Sequence, residues 1–258
     1  MSDADSDLEI VGKKVFFLFP TAVIQNRIID ELVQQEYEIY FARDKDTIRR
    51  VLRKYNDSIV FVDINEKLNE REWETWIRAV MEAPDTNGVS IGIISANDDE
   101  AIKKKYLETI KVKCGYTVLK FDLDKAISQI LEVLQTAEAK GRRKFIRASM
   151  GSDTNATLNL PMHGEFVKGQ IRDISVVGIS CTIDGNPEIS KNTLFKDIQI
   201  KLQSTLLKVE GIVYGARQEG NNSIYVILFT QRTDPEVRTK IRKYIQHTLQ
   251  IKMDAELK

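Results

Sequence analysis

Three arginines, Arg142, Arg143 and Arg147, crowd the stretch GRRKFIRASMG between Gly141 and Gly151. Arginine is a permanently charged, rigid fork of donors that grips a phosphate, or the O6/N7 edge of guanine, with two parallel hydrogen bonds. Further on the chain reads IRDISVVGIS, residues 171–180. On a strand, residues two apart share a face, so Asp173 and Ser175 point the same way. Gly178 follows, where a missing side chain allows a turn, a bulge or the close approach of a ligand. An Asp can accept from the N1–H and N2 amine of guanine while arginines hold its other edge. Paired arginines with an Asp–Ser strip therefore suit a guanine nucleotide with exposed phosphates. The common nucleotide cradles, GxxxxGK[ST] and GxGxxG, do not occur in the sequence.

Other reactive residue types carry less. Cys114 and Cys181 lie far apart, without a CxxC spacing, and only His163 and His247 could join them. That donor set is too small for a zinc site, so both thiols are expected in the core and no metal or cofactor is expected. His163 and His247 are read as structural or exposed, and Lys103-Lys104-Lys105 as a solvated helix face. No nucleophile–base pair or acid pair stands out, and the chain is not expected to be an enzyme. With 38 basic and 38 acidic residues the formal charge is zero. That argues against bulk binding to nucleic acid or anionic membrane, although a local patch can hide in a neutral total.

The elements that must position these residues fall into two halves with different periods. Residues 12–140 alternate short apolar runs (KKVFFLF, EIYFA, SIVFVDI, GVSIGIIS, YTVLKF) with helical patterns. In EREWETWIRAVMEA, Trp73, Trp76, Ile77 and Val80 fall on one helix face. In DKAISQILEVLQTAEAK the periodic residues run on towards Gly141, the expected helix stop. Strands that are apolar throughout belong to a parallel sheet covered on both faces, so this half is expected to be a doubly wound, five-stranded α/β domain. Residues 141–250 carry turn signals between short β-rich segments and then DPEVRTKIRKYIQHTL, with Asp234 as N-cap and Pro235 at the first helical position. A small antiparallel barrel with a closing helix is expected there. Residues 1–11, acidic and polar, are expected to be disordered, and 251–258 to form a C-terminal tail. No apolar run is long enough to cross a bilayer, and the start lacks the order of a secretory signal. A cytoplasmic protein without membrane insertion is expected.

The first half resembles the receiver domain of two-component response regulators. Asp63 ends the third strand, where receivers carry the phosphoacceptor; Ser95-Ala96 ends the fourth, and Lys120 the fifth. The departure lies after the first strand, where receivers hold Mg²⁺ with an acidic pair and this chain has Phe19-Pro20-Thr21. Asp63 alone is a poor oxygen site for a metal that wants near-octahedral ligands. A degenerate receiver, with Asp63 closing a strand end, is therefore the expectation over a phosphoacceptor at Asp63.

The second half resembles the PilZ domain, the bacterial receptor for cyclic di-GMP. Arg143-Lys144-Phe145-Ile146-Arg147 fits RxxxR, and Asp173-Ile174-Ser175-Val176-Val177-Gly178 fits [D/N]xSxxG. The resemblance implies that Arg143 and Arg147 wrap over cyclic di-GMP while Asp173 and Ser175 hold a guanine against the barrel and Gly178 leaves it room. Arg142, just before the motif, implies a further guanine contact and two ligand molecules per chain. A bland linker of surface ion pairs, worth about 0–1 kcal/mol each, does not require both motifs together. The expected function is a two-domain second-messenger receptor. Binding at the arginine segment reorients the domains, and the N-terminal domain faces a protein partner. Two alternatives stand beside it. A response regulator driven by phosphorylation of Asp63 is opposed by Phe19-Pro20. A nucleic-acid-binding β-barrel is opposed by zero net charge and the absence of spaced aromatic stacking platforms.

Overall fold

The computed structural model describes residues 12–120, 122–141, 143–151 and 156–256. The expected disordered residues 1–11 lie outside this range, as does Arg142. The chain divides into two compact units, Met1–Lys144 with Gln250–Lys258, and Phe145–Leu249.

The first unit is a five-stranded parallel sheet of β1 (Val15–Leu18), β2 (Ile39–Ala42), β3 (Ile59–Asp63), β4 (Ser90–Ser95) and β5 (Tyr116–Val118), in the order β2-β1-β3-β4-β5. Every residue of β1 and β3 is buried, which is why these strands read as unbroken apolar runs. The intervening helices include α1 (Asp30–Gln34), α2 (Lys45–Lys54), α3 (Glu70–Glu82), α4 (Glu100–Lys104) and α5 (Leu123–Thr136). Wider π turns, Ile24–Ile29 before α1 and Lys105–Ile110 after α4, extend two of them. Asn69 and Glu72 close a capping box at the start of α3, whose buried face is Trp73, Trp76, Ile77 and Val80 as the spacing predicts. Helix α5 ends before the expected stop at Gly141: Ala137 caps it and Glu138 takes a left-handed backbone with φ 50°. A glycine is not needed for that turn when a residue just past the helix accepts the strain.

The second unit is a closed six-stranded antiparallel barrel. Its strands are β7 (Ala156–Met162), β8 (Glu165–Ser175), β9 (Gly178–Ile183), β10 (Leu194–Leu202), β11 (Thr205–Glu219) and β12 (Asn222–Phe229). Pairing runs β8-β7-β10-β11-β12-β9 and returns from β9 to β8, while short β6 (Arg147–Ser149) adds to β8. Ile171, Ile174, Ile179, Ile198, Ile200, Val213 and Ile227 fill the interior. Helix α6 (Pro235–Glu256) contributes Ile241, Tyr244 and Ile245 to the same core. Asp234 caps it by accepting from the Glu236 N–H at 2.7 Å. The helix does not stop at residue 250. It continues through the expected tail to Glu256, and these last turns belong to the first unit. Gln250 there bonds the edge strand β2, donating to the Phe41 carbonyl at 3.0 Å and accepting from the Phe41 N–H at 2.8 Å. Glu256 accepts from Lys54 Nζ at 2.6 Å and from the Tyr55 hydroxyl at 2.8 Å. Polar contacts of this kind leave no apolar period for a sequence reading to find.

Candidate functional site

The site is built on the β8–β9 hairpin and the short strand β6 laid against it. A two-residue turn, Val176-Val177, sets the register, so that Ser175 faces Gly178 and Asp173 faces Ser180. On the other side Arg147 faces Ser175, Ala148 faces Ile174, and Ser149 faces Asp173. Residues directly opposite in a ladder share a face. Ala148, Ile174 and Ile179 are buried in the core, so Arg147, Ser149, Asp173, Ser175, Gly178 and Ser180 line the outer face of the barrel together. A bulge between Ile171 and Asp173 turns Arg172 away into an ion pair with Glu219 at 3.4 Å.

Within this strip Arg147 is exposed and has no ion-pair partner among the described residues. Asp173 is half-buried, and the Ser180 hydroxyl donates to its Oδ2, which fixes the carboxylate and leaves Oδ1. The buried Ser175 hydroxyl donates to the Gly178 carbonyl at 3.2 Å, closing the hairpin. Gly178 meets a demand of the fold itself. A Cβ there would stand 2.5 Å from the Ile227 carbonyl oxygen on β12, so the absent side chain makes room for a neighbouring strand.

Of the residues expected at the site, the barrel brings together Arg147, Asp173, Ser175 and Gly178. Arg143 is exposed and falls in the first unit, and Arg142 lies outside the described residues. Sequence reasoning missed Ser149 and Ser180. The signal for Ser180 was the ladder arithmetic of the β8–β9 hairpin, hidden because Val-Val carries none of the Gly or Asn marks of a tight turn, while Ser149 joins the strip through the separate β6–β8 pairing.

The second candidate, Asp63, ends β3 and is 4% exposed. Burial pushes its carboxyl up to about 6, against a smaller lowering by the Asn65 N–H that donates to Oδ1 at 3.1 Å. Asn65 also ties the strand end to β4: its Oδ1 accepts from the Ser95 hydroxyl at 3.0 Å and the Ala96 N–H at 2.6 Å. Lys120 pairs with Asp98 at 3.4 Å. Where an acidic pair would be needed, Phe19 adopts a left-handed backbone with φ 52° and sets its ring edge-on to Trp73, 6.0 Å between centroids. Among the described residues no group of three or more His, Cys, Asp or Glu could hold a metal ion. No helix among them is long and apolar enough to cross a membrane. Cys114 and Cys181 are free and buried, as expected, and burial raises both thiols, to about 11 and about 12.

No curated protein matches the chain. Solved structures that it resembles cover one half or the other. The PilZ domain with c-di-GMP of YcgR from Escherichia coli is 12% identical over 45% of this chain and 93% of that one, with a TM-score of 0.37. The K. pneumonia MrkH–c-di-GMP complex is 18% identical over 45% of this chain, with a TM-score of 0.35, and the chain spans 53% of its length. The chemotaxis response regulator CheY4 of Vibrio cholerae is 17% identical over 49% of this chain and 99% of that one, with a TM-score of 0.40. The family model of the PilZ domain matches residues 141–247 directly. Behind its parallel-sheet half, this chain carries a PilZ domain.

Proposed function

We propose that the chain is a receptor for cyclic di-GMP, bound on the strip formed by β6, β8 and β9. The observation that carries this reading is the register that sets Arg147 opposite Ser175 with Asp173 on the same face. Arg147 offers its fork to a phosphate or to a guanine O6/N7 edge. Asp173, steadied by Ser180, accepts from the guanine N1–H and N2 amine through Oδ1. Arg143 supplies the second fork, and Arg142 a further guanine contact that brings a second ligand molecule. The PilZ motifs RxxxR and DxSxxG, both complete in this chain, support the same ligand.

Arg143 lies in the connection between the units, and the ligand acts by ordering that segment and reorienting the parallel-sheet domain, which presents a face to a protein partner. A ligand shifts such an equilibrium only by binding one arrangement better. The domain does this without phosphorylation, a reading supported by Phe19 and Pro20 in place of an acidic pair.

Calorimetry with cyclic di-GMP, against GTP and single-stranded RNA, tests the assignment. Cyclic di-GMP is expected to bind far more tightly than either control. Replacing Arg143 or Arg147 by Ala should weaken binding roughly tenfold to more than a hundredfold, since each such contact is worth about 1–3 kcal/mol. Unchanged affinity in R147A overturns the site. Hydrogen exchange around residues 138–150 that ignores the ligand overturns the coupling.

A further inference from the structure

A cavity of about 410 Å³ opens in the first unit, lined by α2, by Leu68 just before α3 and by α3 as far as Ala79. Its apolar lining is Leu68, Trp76 and Ala79, and its cationic lining is Lys45, Arg49 and Arg71. Two buried donors without an acceptor, Trp76 Nε1 and Arg49 Nε, belong to residues of this one lining. Trp76 is only 7% exposed. Its neighbour Trp73, edge-on at 5.9 Å, is satisfied, because its Nε1 donates to the Glu66 carbonyl at 3.0 Å. Buried N–H groups nearly always find a partner, and those that do not call for a reason.

The charges point the same way. Asp46 and Glu72 also line the cavity, but Asp46 pairs with Lys45 at 3.3 Å and Glu72 is committed to the capping box with Asn69. Among the described residues neither Arg49 nor Arg71 has an acidic partner. An aromatic wall, two uncommitted guanidinium groups, that of Arg49 with its Nε unmet, and the unmet Trp76 indole N–H together ask for an apolar body that carries an anionic acceptor. The volume falls in the range of small-molecule sites, about 300–1,000 Å³, rather than that of a protein interface.

We infer that this cavity binds a small organic acid, its flat apolar body against Trp76 and Leu68 and its carboxylate or phosphate on Arg49 and Arg71. Both unmet N–H groups are shielded from water, so the acceptor reaches them only with a local side-chain shift. The inference is independent of the ligand proposed for the barrel.

The chain has two tryptophans, so its ¹⁵N-labelled full-length form gives two indole N–H resonances, assigned by W76F. Naphthalene-2-carboxylate, titrated to millimolar concentration, is the probe, and naphthalene-2-methanol its neutral control. The Trp76 resonance should move with saturation while Trp73, held by Glu66, moves far less. R49Q and R71Q should each weaken binding of the acid about tenfold or more, and the neutral control should bind the unaltered chain about tenfold or more weaker than the acid does. Arg71 is exposed, so R71Q keeps the test valid even where R49Q disturbs the fold. An unmoved Trp76 resonance, equal binding of the alcohol, or unchanged affinity in R71Q overturns the inference.

Discussion

A Cβ built on Gly178 would lie 2.5 Å from the Ile227 carbonyl oxygen and 3.2 Å from Leu228 Cα, both fixed parts of β12. Backbone cannot swing aside as a side-chain tip can, so G178A should destabilise the barrel by about 1–3 kcal/mol, as overpacking does. Urea unfolding measures this, and ligand lost in G178A then reports a strained barrel rather than a missing contact. Asp63 gives a prediction in pH. Its folded value of about 6 stands above its ordinary 3.8, so the folded state holds the proton more tightly than the unfolded chain. Its contribution is therefore present at low pH and fades as pH rises from about 4 to about 6. D63N removes that dependence. It should gain about 1–2 kcal/mol over the parent at pH 7.5, discounted for residual solvent contact, and nothing below pH 4. Paired urea curves at the two pH values check both halves.

At the scale of elements, Gln250 makes an unusual sheet edge. Its carboxamide meets the N–H and carbonyl of Phe41 as a peptide group would, giving β2 one rung of an absent neighbour. Q250A should leave both Phe41 groups to water, cost the first unit about 1–2 kcal/mol and speed amide exchange at Phe41 about tenfold. The central strands and helices of this unit were legible in the sequence because burial on both faces writes itself as unbroken apolar runs. The π turns were not, since Ile24–Ile29 and Lys105–Ile110 keep the same apolar spacing an α-helix would. In the barrel the strands and the Gly- and Asn-marked turns were legible, but the Val176-Val177 turn was not, and β6 read only as a charged connection. Arg147 and Ser149 are exposed and Ala148 alone is buried, too little alternation to announce a strand. The motif residues were found by type and spacing, and the two-residue period of one strand already set Asp173 and Ser175 on one face; that Arg147 and Gly178 join them is a property of pairing, which no single segment encodes.

At the scale of the whole molecule, the two compact units are not two continuous stretches of sequence. Residues 250–258 group with the first unit although 145–249 form the second. A chain ended after Leu249 should therefore keep the barrel's melting transition and lose several degrees from that of the parallel-sheet unit, which calorimetric scanning resolves. Gln250 has a further consequence for such a truncated chain. An uncapped β2 presents bare main-chain donors and acceptors on the strand Ile39-Tyr40-Phe41-Ala42, a template that another copy can pair with. The shortened protein should associate more readily than the unshortened chain as its concentration rises, which sedimentation measures. One carboxamide on the final turns of a helix is in this sense a guard against aggregation.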